Sequence, residues 1–265
     1  MAAAFVKALQ AAGGTSTVNS TTIAVTTNGA VAAGNHIIGF YTNRLTNATT
    51  LSSVAATGAT FQVDGTASGV AGTTEGWGIF SAYCASGLAS ATTITATLSA
   101  ASTRKTMSCF EFSGLDTTSW AYSPAVAGNG NPAPASPVTV GTLSGLTAGD
   151  LVVSVTQYNN STGTIGQIAA GSGWTTPTAG TGGNTIVGAS SWDESLFQYI
   201  AGVAGTSQAV TFTWSVDNSY AGGGVAYHQA SSPAPRQRHK HGMWTPQPIR
   251  AARRAPRRYP LAGWR

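Results

Sequence analysis

The chain has 265 residues, 42% hydrophobic and only 8% charged, with a formal net charge of +5. No apolar run approaches the roughly 18 residues that a membrane-spanning helix needs, so no membrane partner is expected. The charge is divided: residues 1–230 hold four Lys/Arg against eight Asp/Glu, a net of −4, whereas residues 231–265 hold nine Lys/Arg and no acid.

The start, "MAAAFVKALQAAGG", is apolar with its one Lys in the middle and no basic segment ahead of it, so no secretory leader is expected. "FVKALQAA" is the one stretch where a helical turn is expected. From there on Thr, Ser, Ala and Gly dominate, and apolar residues come in short runs bounded by Gly, Asn and Ser, which predicts β-structure. After a Thr-rich lead strand and the turn "VAAGN", "HIIGF" is continuously apolar, as is "LVVSV" in the second half, which suits strands covered on both faces or lying centrally. "TITATLS" and "VTFTWSV" alternate at period two, with Ile94, Ala96 and Leu98, or Val210, Phe212 and Trp214, on one face and Thr on the other. "GIFSAYCAS" and "KTMSCFEFS" each hold one cysteine, Cys84 and Cys109; a lone pair is no disulfide framework, and buried free thiols are the simpler reading.

The second half repeats the first. A shift of 116 sets "AYCASGLASATTITATLS" on "QYIAGVAGTSQAVTFTWS" and "CFEF" on "VAYH"; upstream, a shift of 115 sets "VAAGNHIIGFYT" on "LTAGDLVVSVTQ". The fold class expected is all-β: two tandem β-sandwich or jelly-roll-like halves followed by an extended basic C-terminal arm. The boundaries are 1–120 for the first repeat, 121–140 for a Pro/Gly-rich connector ("AVAGNGNPAPASPVTV"), 141–230 for the second repeat and 231–265 for the arm. A single pseudo-symmetric double sandwich with one shared core is the alternative.

Catalytic chemistry finds little to work with. There is no G-x-S-x-G motif, and Asp193 and Glu194 are adjacent, so in a strand they face opposite ways. His36 opens an apolar strand and His228 closes one, positions that suit structural histidines. His239 and His241 lack the further ligands of a zinc site. No catalytic residue, cofactor or metal is expected. Trp77 and Trp174 follow glycines in predicted loops and are candidate glycan contacts.

"MAAAFV", "TAGDLVVSV", "GSGWTTP", "VTFTWS" and "EFSGLD" resemble segments of the β-rich virion proteins of tailed bacteriophages, which include head decoration and minor tail or fibre proteins. The first half departs from the pattern, with Asn35 for the turn's Asp and "GATFQV" where the Gly-Trp-Thr loop would fall. The resemblance implies a non-enzymatic structural component of the particle.

The arm has prolines at 233, 235, 246, 248, 256 and 260, which deny it helix and sheet, and aromatics interleaved with its cations. Arg236, Arg238, Lys240, Trp244, Arg250, Arg253, Arg254, Arg257, Arg258, Tyr259, Trp264 and Arg265 are the candidate partner-binding residues. The arm reads as a strap onto an acidic capsid or tail lattice or a neighbouring copy, with aromatics as anchors and Arg forks on carboxylates. Nucleic acid is the rival partner. The alternative function is a carbohydrate- or receptor-binding module of a tail fibre or adhesin.

Overall fold

The computed structural model describes residues 2–11, 13–44, 49–68, 75–118, 120–130, 137–160, 168–177, 184–187, 192–214 and 219–231. Residues 232–265 of the arm, including every one of the twelve proposed partner contacts, lie outside the described residues. Among the described residues there is no helix. The chain is all-β and its strands pair antiparallel.

The first half supplies β1 (Ala4–Ala8), β2 (Gly14–Ser16), β3 (Ser20–Thr26), β4 (Asn35–Asn43), β5 (Leu51–Ala56), β6 (Ala59–Ser68), β7 (Gly76–Cys84), β8 (Thr93–Ser102) and β9 (Lys105–Ser113). The second supplies β10 (Ala121–Gly130), β11 (Val138–Ser144), β12 (Leu151–Asn160), β13 (Ile168–Ala170), β14 (Asn184–Val187), β15 (Trp192–Ala201), β16 (Ser207–Trp214) and β17 (Tyr220–Tyr227). Strands of the first half run in the order β1-β9-β4-β7-β6-β5-β8-β3, with β2 also on β9. Strand β6 pairs with β5 through Ala59 and Thr60 and with β7 from Phe61 onward, so the sheet curls and lays β5, β8 and β3 over β7, β4 and β9. The second half has the same order in two pieces, β10-β17-β12-β15-β14 and β11-β16-β13.

Three cores follow from the period-two alternation of the inner strands. Ile37 and Tyr41 of β4 face a first core, shared with Ile23, Val54, Ile94 and Leu98 of the outer strands. Ile38 and Phe40, on the opposite face of β4, enter a central core with Phe110, Leu151, Val153 and Phe197. Val152 of β12 turns to a third core with Val210, Phe212 and Trp214. Strands β4 and β12 are therefore covered on both sides, which is why "HIIGF" and "LVVSV" carry no polar alternation.

The central core joins the two halves. Phe197 stacks on Phe40 at 5.7 Å and on Phe110 at 4.5 Å, and Phe5 stacks on Tyr199 at 5.3 Å, so the two halves are welded by aromatic rings from both. Met1–Ser231 is one compact unit. The halves share the central core, as in the shared-core alternative, and each also keeps a core of its own. The expected connector is also partly strand: Ala121–Gly130 pairs with β17 and Val138–Ser144 with β16. "FVKALQAA" is not helical either; Ala4–Ala8 forms β1 against β9, because pairing with a long neighbouring strand outweighs the helical preference of Ala and Leu.

Candidate functional site

The ionic groups of the body lie mostly inside it. At one end of the seam between the halves, Arg44 Nη1 donates to Asp193 Oδ1 at 2.9 Å and Arg104 Nη1 to Asp193 Oδ2 at 3.3 Å. Arg44 Nε also lies 3.4 Å from Glu75 Oε1, and the Ser219 hydroxyl donates to the same oxygen at 2.7 Å. Glu75 and Asp193 are buried. Burial pushes the Asp193 carboxyl above its ordinary range, while Arg44 and then Arg104 pull it back. Beside the cluster, Thr42 and Ser195 share a hydrogen bond of 2.6 Å across the seam. The arrangement cross-links the halves: both Asp193 oxygens and Glu75 Oε1 are engaged by guanidinium and hydroxyl groups of the chain itself, while Glu75 Oε2 is buried with no hydrogen-bond partner among the described residues.

The other two body cations are also held internally. Lys7 pairs with Glu111 at 3.3 Å. Lys105 is buried, and its ammonium donates to Val18 O, Ser20 O, Ser20 Oγ and Ser102 O at 2.7–2.9 Å, tying the start of β3 to the β8–β9 turn. Burial lowers the Lys105 pKa.

The described residues include two histidines, His36 and His228. His36 is fully buried against Tyr83 and Trp120, with ring centroids at 5.0 and 5.3 Å, and burial lowers it to about 4, so it is neutral at physiological pH. His228 Nδ1 lies 3.4 Å from Asp150 Oδ1. That carboxylate accepts the Thr147 N–H at 2.7 Å and closes the "TAGD" turn. In the first half Glu111 of β9 does the same work, accepting the Ala32 N–H at 2.9 Å and the Asn35 amide at 2.7 Å, so Asn35 in place of Asp is compensated by a neighbouring strand. Among the described residues no group of His, Cys, Asp and Glu could hold a metal ion.

Two glycan candidates are corrected. Trp77 is 2% exposed and Trp174 8% exposed. Trp77 lies on β7 and points into the central core, and Trp174 packs into the third core, so neither indole offers a face to a sugar. Both follow glycine, which suggested loops; the rings are taken up by partners distant in sequence. Cys84 and Cys109 are buried free thiols. Sequence reasoning missed the seam cluster and the bond from the Tyr227 hydroxyl to Asp64 Oδ2 at 2.7 Å. One signal was available: at the repeat shift of 116, Trp77 falls on Asp193, so equivalent strand starts carry an indole in one half and a carboxylate in the other.

No protein-family model, curated protein or solved structure gives a significant match to the chain.

Proposed function

We propose that this chain is a non-enzymatic structural protein of a phage particle, a capsid decoration or minor tail component, fastened to an acidic protein lattice by residues 231–265. One observation carries the reading: the body keeps its four cations in intramolecular contacts, Lys7 on Glu111, Arg44 and Arg104 on Asp193, and Lys105 on main-chain and serine oxygens. The outer strands β3, β5, β8, β11, β13 and β16 contain no charged residue at all. Attraction to a negative partner is thereby assigned to the nine cations of the arm. A welded slab with uncharged outer strands and a cationic strap suits a component that must hold position rather than turn over substrate.

The test is deletion of residues 231–265, with occupancy on purified particles measured by quantitative mass spectrometry. The expected result is loss of the truncated chain from particles while its melting transition is retained. Undiminished occupancy would transfer attachment to the sandwich faces. If the arm instead binds duplex DNA, affinity will fall with salt at about 0.9 log units per log unit for each phosphate neutralised.

A further inference from the structure

A shallow cleft of about 370 Å³ opens on the first half, lined by Gly58, Ala59 and Thr60 at the β5–β6 turn and by Tyr83, Ala85 and Ser86 at the end of β7. The lining holds no Asp, Glu, Lys, Arg or His, and the nearby outer strands β3, β5 and β8 are uncharged. Tyr83 is half-buried, with one side of its surroundings formed by His36 at 5.0 Å and Trp120 at 6.2 Å between ring centroids. Trp120 is itself anchored, its indole N–H donating to Ser81 Oγ at 2.8 Å. The phenol ring is thus a braced platform, and the side chains of Thr60 and Ser86 beside it are exposed.

The second half makes the same turn differently. Gly173, with φ of 81°, stands where the first half has Gly58, with φ of 88°, and the next residue is Trp174 in place of Ala59. Tyr199, the counterpart of Tyr83, carries Phe5 stacked on it at 15° between planes. Large aromatic groups therefore sit at this turn in the second half, whereas the first half has small residues and a cleft.

We propose that this cleft is a subsite for a neutral hexopyranose unit of a glycan. The C–H face of the sugar packs on Tyr83, and its hydroxyls exchange hydrogen bonds with Thr60 and Ser86. The volume lies at the low end of the range of about 300–1,000 Å³ for small-molecule sites, enough for one or two rings. A carboxylated or sulfated sugar would find no countercharge in the lining, and a purely aliphatic ligand would strip water from two hydroxyls without replacing it. Binding at one such site is weak, and display of many copies multiplies it. The inference does not depend on the arm.

The experiment applies the full-length chain to an array of neutral and anionic glycans, then uses saturation-transfer NMR with the best neutral disaccharide for wild type, Tyr83→Ala and Ser86→Trp. Circular dichroism and melting verify folding; Ser86 is exposed, so Ser86→Trp closes the cleft without touching the core and decides the matter if Tyr83→Ala fails to fold. The expected result is binding of neutral hexose-terminated glycans, weakened at least about tenfold in each folded variant. Absence of neutral-glycan binding, binding confined to anionic glycans, or neutral binding unchanged by Ser86→Trp would overturn the assignment. The truncation at residue 231 leaves sugar binding intact, so this proposal and the strap fail separately.

Discussion

The indole of Trp77 occupies the space that a side chain at Gly223 would need: a Cβ built there would overlap ring atoms Cζ2 and Cη2. Trp77 comes from β7 of the first half and Gly223 from the middle of β17 in the second, so the glycine run of β17 is the slot for the largest side chain of the central core. Gly223→Ala is expected to destabilise the body by about 2–3 kcal/mol through overpacking, lowering Tm by roughly 5–10 °C. Gly205→Ala is the control: its nearest neighbour to a new Cβ lies 3.9 Å away, and its effect should stay within about 0.5 kcal/mol. Equal melting temperatures for the two variants would remove the slot from the account of stability.

That relationship also marks the limit of what could be read in advance. Period-two alternation in "TITATLS" and "VTFTWS" identifies faces correctly, since Ile94, Ala96, Leu98, Val210, Phe212 and Trp214 are all buried. The doubly covered character of "HIIGF" and "LVVSV" was likewise legible, because burial on both faces leaves no polar alternation to find. Trp77 was not, because its environment is built by Gly223, far along the chain in another strand. Nor was the seam cluster: Arg44 and Asp193 are separated by 149 residues, and nothing local to either announces the other. Local pattern reports which face of a strand is dry; it does not report what covers it.

Arg44 carries the seam cluster. It pairs with Asp193 and Glu75, both buried, so Arg44→Ala leaves two carboxylates with reduced compensation and is expected to cost about 3–5 kcal/mol in urea denaturation. Adding Asp193→Ala should restore part of the loss, giving a coupling of at least about 1 kcal/mol. A double variant whose loss equals the sum of the single losses would mean that the pair does not act as a unit.

The two thiols give a chemical readout of the cores. Burial pushes Cys84 up to about 11 and Cys109 higher still, with Glu111 adding to the shift at Cys84, so thiolate is scarce and reagents have no access. Native protein is expected to show no fast reaction with a thiol-specific disulfide reagent, and protein in denaturant to show two equivalents without prior reduction. One fast-reacting thiol in the native state would place that cysteine at a surface.

Asp64 and His36 pull stability in opposite directions as pH changes. Burial raises Asp64 from 3.8 to about 6 despite hydrogen bonds from Ser81, Tyr227 and Gln62, so the folded state holds that proton more tightly than the unfolded chain does. Its contribution is complete below pH 3.8 and is lost as pH rises through 6. Burial lowers His36 from 6.5 to about 4, so its contribution is complete above pH 6.5 and is lost as pH falls through 4. The His36 displacement is worth about 3 kcal/mol, and that of Asp64 less, because Asp64 is partly exposed and screened. Relative to wild type, Asp64→Asn should gain about 1–2 kcal/mol at pH 7.5, where it no longer buries a charge, and should lose stability more steeply between pH 6 and 4. His36→Phe should shift the other way, gaining on wild type as the solution is acidified over the same interval. Urea midpoints at half-unit steps of pH read both slopes. Parallel profiles for the two variants and wild type would show that neither group titrates in the folded state as its burial dictates.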